Sequence, residues 1–207
     1  MADIDRRRRF RRIQLAIWLL VALALAGLSF LLLRPAAPQQ SAVQSTGMAP
    51  IGGAFRLTGG DGKSFSSRQL GGKPYLIFFG FTHCPDVCPT TLARLVRLRD
   101  QAKLAPAALP ILFVTVDPER DGPAEVGKYA DLFGSPVIGL TGTPAQIERV
   151  KKSFGIFSEK VPDGNGGYSV DHTATVLLFG ADGQFAGTIA PDENDRAALA
   201  KIERIAG

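Results

Sequence analysis

The stretch PYLIFFGFTHCPDVCP, residues 74–89, joins an apolar run to the only two cysteines of the chain, Cys84 and Cys88, and its reading decides the fold. Pro74 to Thr82 is aromatic and aliphatic without alternation, the pattern of a strand buried on both faces. From about Asp86 to Leu104 the apolar residues Val87, Leu92, Leu95, Val96 and Leu98 recur among Arg and Asp at helical spacing. Pro89 is compatible only with a first helical turn. The cysteines therefore stand where a buried strand gives way to a helix.

Working outward, PILFVTVD at 110–117 predicts a second buried strand, Pro123 to Phe133 a helix, VIGLT at 137–141 a third strand and Thr143 to Phe154 another helix. Such alternation argues for parallel βαβ units. TATVLLFGADGQFAGTIA at 173–190 reads as two strands about a Gly-Ala-Asp-Gly turn, and an amphipathic helix follows from about Glu193 to Ile205. A small hairpin is expected in AFRLTGGDGKSFSSRQL, and PDGNGGYSV at 162–170 reads as a mobile loop. The layout is α/β, a thioredoxin-like domain with a mixed central sheet flanked by helices, assigned to residues 54–207.

Two cysteines with three residues between them form too short a loop for a disulfide there to remove much chain entropy, so stabilisation explains them poorly. Four positions apart on a first helical turn, two sulfurs can close on a soft metal or on each other. The positive end of the helix favours thiolate, the form that binds metal and the form that attacks disulfides. Spacing alone leaves both uses open.

A third ligand would tip the balance, and the chain has two histidines. His83 directly precedes Cys84 and, in an extended segment, points away from the pair, which suits a supporting residue. His172, in SVDHTATVLLF, stands at the mouth of a strand expected beside the helix that carries the cysteines. A lone His is more often a polar surface residue, but this fold would bring that loop to the pair. Two thiolates and one imidazole make a three-coordinate soft site suited to Cu(I), whereas zinc would normally take a fourth ligand.

The N-terminal part is of another kind. Residues 13–33, IQLAIWLLVALALAGLSFLLL, carry no charge and at about 1.5 Å per residue are long enough to cross roughly 30 Å of hydrocarbon. The basic stretch 1–12, with RRRRFRR at 6–12, predicts a cytoplasmic N-terminus and a domain on the other side of the membrane. A cleaved leader is the alternative, with Pro-Ala-Ala at 35–37 behind it, although its apolar region would usually be about 7–15 residues. Residues 34–53, rich in Pro, Gln, Ser and Gly, read as a flexible linker. Of the 24 Lys and Arg and 19 Asp and Glu, all but 17 of each fall in residues 1–34, so the net charge of +5 belongs to the anchor and gives no case for nucleic acid.

FTHCPDVCP at 81–89, VTVDPERD at 114–121 and DHTATVLLF at 171–179, in that order behind one span, resemble the Sco/SenC family of copper chaperones for cytochrome c oxidase. The resemblance runs from about Ile51 to the end of the chain. It implies copper on Cys84, Cys88 and His172, as Cu(I) with Cu(II) left open, and a bacterial inner-membrane protein with a periplasmic domain. It also implies delivery of the metal to the binuclear copper site of an oxidase subunit, or reduction of that site's thiols. A periplasmic thiol reductant or another copper carrier would be a further partner. His83, Asp86, Asp117 and Asp121 are the candidate supporting residues around the metal, the two in VDPERD having helix capping and strand termination as their ordinary alternative. A thioredoxin-superfamily peroxidase, suggested by VCPT at 87–90, fits less well, because Pro85 stands where that family usually places a Thr and Cys84 would be superfluous.

Overall fold

In the computed structural model, which describes residues 50–207 other than 165 together with Trp18, the chain enters its folded unit through a hairpin. Strand β1 (Arg56–Gly59) and strand β2 (Ser64–Ser66) pair about a turn in which Gly59 N–H donates to the Lys63 carbonyl at 2.8 Å. One turn of 3-10 helix (Ser67–Leu70) leads to β3 (Tyr75–Gly80), every residue of which is buried. Then come α1 (Val87–Gln101), β4 (Ile111–Thr115), α2 (Pro123–Asp131), β5 (Ile138–Thr141) and α3 (Pro144–Phe154). A hairpin of β6 (Ser158–Pro162) and β7 (Tyr168–His172), a second hairpin of β8 (Val176–Phe179) and β9 (Phe185–Ile189), and α4 (Asp195–Ala206) complete the unit.

Seven strands form one mixed sheet in the order β2-β1-β5-β4-β3-β8-β9. The three central strands β5, β4 and β3 are parallel, and the flanking pairs β1–β5 and β3–β8 are antiparallel. This is an α/β thioredoxin-like architecture. The register sets Leu76 opposite Ile111 and Gly80 opposite Thr115, so the carboxyl ends of β3 and β4 finish side by side. Such ends are where open parallel sheets place their sites.

Phe78, Phe79, Phe113, Phe154 and Phe179 are fully buried, with Phe154 5.6 Å from Phe79 and 5.5 Å from Phe179 between ring centroids. Helix α2 lies almost on the sheet: a Cβ added at Gly139 would stand 2.3 Å from the Val126 carbonyl oxygen. Helices α1 and α4 are tied by Arg94 and Arg97, each 2.7 Å from an oxygen of Asp195.

Two expectations change. The segment 162–170, read as one mobile loop, is strand at Pro162 and from Tyr168 to Val170, part of the β6–β7 hairpin in register from Ser158 opposite His172 to Pro162 opposite Tyr168. Only Val170 among its ten strand residues is buried, so no apolar alternation announces it. Helix α1 stops at Gln101 rather than Leu104, because Lys103 adopts a left-handed φ of 55° and turns the chain. The basic stretch 1–12, the apolar run 13–33 apart from Trp18, and the linker as far as 49 lie outside the described residues. Among the described residues no helix is long and apolar enough to cross a membrane.

Candidate metal centre

Strand β3 ends at Gly80, and a turn in which Cys84 N–H donates to the Phe81 carbonyl at 3.2 Å brings Cys84 back over the strand end. The two cysteines do not share a helical turn as the spacing had suggested. Helix α1 begins at Val87 behind Asp86, and Cys84 precedes it. Pro85 supplies the reason, since the residue before a proline is driven out of the helical region. The Cys84 sulfur nevertheless caps the helix in its own way: Cys88 N–H donates to Cys84 Sγ at 3.4 Å, using one of the orphan donors of the first turn.

The sulfurs differ. Cys84 is partly exposed and Cys88 fully buried, and both are free thiols. Burial pushes the Cys88 thiol well up, its hydrogen bond with Cys84 adds to the effect, and a backbone hydrogen bond at Phe81 opposes it. The thiolate expected from the helix terminus meets an opposing cause at Cys88, the loss of water around the sulfur.

His172 ends β7, half-buried, with its ring edge-on to Phe81 and Phe78 at 5.7 and 6.1 Å between centroids. Its Nδ1 lies 3.0 Å from the Thr173 carbonyl oxygen, which can only accept, so Nδ1 carries the proton and Nε2 keeps its lone pair. Nε2 faces Cys88 Sγ at 3.5 Å. Burial lowers the His172 pKa below its ordinary 6.5, with the Thr173 carbonyl and Asp171 opposing, so the ring is neutral near pH 7. A neutral imidazole with its second nitrogen fixed by a carbonyl is the state in which histidine ligates metals.

The donor atoms of Cys84, Cys88 and His172 all lie within 4.8 Å of one another. Asp121 holds the segment that leads from β3 to Cys84. Fully buried, it accepts from Thr82 N–H at 2.9 Å, Thr82 Oγ1 at 2.6 Å and Thr115 Oγ1 at 2.6 Å, stitching the end of β3 to the end of β4. His83, half-exposed, directs Nδ1 to Thr82 Oγ1 at 3.1 Å and lies 3.6 Å from Asp121. Asp117, also buried, pairs with Arg120 and accepts from the Tyr168 hydroxyl at 3.0 Å. Neither aspartate caps α2, whose N-cap is Gly122 without a side-chain bond. Asp86 is exposed, and its carboxylate accepts from Thr90 Oγ1 at 3.1 Å, along its own helix. Sequence reasoning missed Arg120, Tyr168, Phe78 and Phe81. Arg120 stood in view within VDPERD, but only the hairpin gives it a partner.

Over residues 43–207 the sequence matches the SCO1/SenC family. The chain belongs to that family. The mitochondrial SCO1 homolog 1 of Arabidopsis thaliana is 38% identical over 143 residues, 68% of this chain and 42% of the plant protein. The structure of Bradyrhizobium japonicum ScoI with copper bound is 40% identical, with a TM-score of 0.65, over 75% of this chain and 99% of that one. BsSco, described as a member of the Sco family of cytochrome c oxidase assembly proteins with a disulfide switch, is 27% identical with a TM-score of 0.61, over 77% and 95%. The matched regions span 42–57% of the length of the first curated SCO relatives. Within this SCO1/SenC domain, two sulfurs and one imidazole suit a soft ion of low coordination number, copper above all.

Proposed function

We propose that this chain is a copper chaperone, binding Cu(I) through Cys84, Cys88 and His172 and delivering it to the binuclear copper site of a cytochrome c oxidase subunit. The observation that carries the reading is the convergence of those three donors, from segments 84 residues apart, within 4.8 Å. Copper-bound structures of relatives from Bradyrhizobium japonicum, Arabidopsis thaliana and yeast support the cargo, and the membership of BsSco in a family of cytochrome c oxidase assembly proteins supports the recipient.

The metal is cargo and its transfer is ligand exchange. An incoming thiolate of the recipient takes a place on the ion as His172 leaves as a neutral base, the second recipient thiolate displaces one cysteine, and the other dissociates, so that both cysteines depart as thiolates and the ion stays with the two recipient sulfurs. No electron moves. Partial exposure of Cys84 gives the recipient its approach, while burial of Cys88 guards the ion from water. The test loads the reduced full-length chain with Cu(I), adds the apo copper domain of an oxidase subunit and follows the metal. Transfer supports the chaperone; copper retained against an excess of acceptor contradicts it.

The asymmetry of the sulfurs favours a second reading, a thiol-disulfide reductase of the same oxidase site. Cys84 as thiolate would attack the partner's disulfide to form a mixed disulfide, and Cys88 would then displace the partner. Two electrons pass to the partner, which leaves as a dithiol, and Cys84–Cys88 is left oxidised. A reduction potential far more oxidising than that of the partner's disulfide would exclude it.

We also propose that residues 13–33 anchor the protein in the bacterial inner membrane, with 1–12 cytoplasmic and 34–53 a tether for the periplasmic domain at 54–207. An alkaline phosphatase reporter fused after residue 53 is then active; an inactive fusion would reverse the topology.

A further inference from the structure

We infer that Arg120 is a positioning residue for the metal: it grips Tyr168 at the start of β7 and thereby sets His172, at the other end of that strand, at the sulfurs. The inference rests on the reading of His172 as a copper ligand.

The β6–β7 pair stands apart from the seven-stranded sheet. An isolated two-stranded hairpin is marginal in water, so the face it turns to the protein must hold it. On β7 that face is Tyr168, Val170 and His172, while Ser169 and Asp171 are exposed. Val170 contributes burial. Tyr168 is held at three points by the segment 117–120. The Arg120 guanidinium carbon lies 3.8 Å from the Tyr168 ring centroid, Arg120 Nη1 donates to the Tyr168 carbonyl at 2.9 Å, and the Tyr168 hydroxyl donates to Asp117 at 3.0 Å. Asp117 closes the circuit through its ion pair with Arg120 Nε.

Arg120 also reaches the metal loop, its guanidinium carbon 5.9 Å from the centroid of Phe81, whose ring meets His172 edge-on. One side chain thus spans the β3 end, the β4 end and the hairpin. A further tie, Lys160 to Glu119 at 2.6 Å, joins two substantially exposed groups of the kind that contributes little. From Tyr168 to His172 the strand is about 13 Å long and paired with β6 throughout, so a loosened grip at one end displaces the imidazole at the other. A merely structural Arg120 would neutralise Asp117 and have no particular coupling to His172.

The test is a cycle in the full-length chain: Arg120→Lys, His172→Ala and the pair, each titrated for Cu(I) against a chromophoric chelator. Lysine keeps the charge for Asp117 and loses the planar fork that stacks on Tyr168 and bonds its carbonyl. Arg120→Lys should lower Cu(I) affinity about tenfold when His172 is present and less than about twofold when it is Ala, in the range of residues that support metal ligands. Equal losses in both backgrounds, or no loss while His172→Ala weakens binding, would overturn the clamp alone. An unchanged affinity in His172→Ala would remove the ligand reading and the inference with it. Should Arg120→Lys fail to fold, hydrogen exchange on the unsubstituted copper-free chain decides. The clamp predicts protected amides in the Tyr168–His172 strand, and exchange there as fast as at the exposed Gly164 and Gly166 refutes it.

Discussion

Adding one methyl group beneath the metal loop, by Gly80→Ala, tests how tightly the strand end and the buried cysteine are matched. Gly80 lies in β3 with an ordinary strand conformation, so alanine meets no backbone obstacle. The obstacle is space. A Cβ at this position would lie 2.8 Å from Cys88 Sγ, 3.0 Å from Phe113 Cε2 and 3.1 Å from Phe78 Cε1. Heavy atoms in such contacts settle at about 3.5–4.0 Å, so neighbours must yield by roughly 0.5–1 Å. Phe78, Cys88 and Phe113 are all fully buried, and none can swing into solvent. Overpacking of this kind costs about 1–3 kcal/mol, which for a domain of this size lowers Tm by about 2–12 °C. Displacement of Cys88 should also weaken Cu(I) binding, because its sulfur sits 3.5 Å from His172 Nε2. Thermal unfolding of the copper-free protein and a Cu(I) competition titration measure the two effects. A Tm and an affinity both unchanged would refute the claim that strand and sulfur are in close contact.

Alkylation of the reduced, copper-free chain at mildly alkaline pH should label Cys84 at least about tenfold faster than Cys88, because Cys88 is buried and its thiol is pushed up; peptide mass mapping over time checks it, and equal rates count against the asymmetry. The lowered pKa of His172 sets a pH dependence: between that value and its ordinary 6.5 the unfolded chain holds more protons than the native one, so stability rises with pH. The copper-free protein should therefore lose stability as pH falls below about 6.5, and a His172→Gln variant should lose less over the same range; parallel slopes in denaturant titrations of the two proteins would contradict a buried neutral imidazole. Asp121→Ala leaves Thr82 N–H and two threonine hydroxyls without their shared acceptor and should destabilise the domain by about 2–4 kcal/mol, read as a lower denaturant midpoint.

The parts of the fold that were legible before the structure are those whose physics is local. The runs at Tyr75–Gly80 and Ile111–Thr115 are buried on both faces, and composition alone marks such strands. Helix α1 carries its core residues at regular spacing, and Pro85, Pro123 and Pro144 punctuate the turns into helices. The β6–β7 hairpin was hidden because pairing across a polar ribbon leaves no trace in hydropathy. Cys84 and Cys88 could be singled out by spacing, but the inequality of their environments could not, since Cys88 is buried by rings and sheet that come from elsewhere in the chain. Asp121 and Asp117 were visible as acidic residues before a helix. Their partners, Thr82, Thr115, Arg120 and Tyr168, become neighbours only when β3, β4 and the hairpin meet.

X-ray absorption spectroscopy of the Cu(I)-loaded full-length protein addresses the coordination directly. The account predicts a three-coordinate ion with two sulfur ligands and one imidazole nitrogen, and loss of the imidazole scattering in His172→Ala. A coordination shell of sulfur alone, unchanged by that substitution, would contradict it.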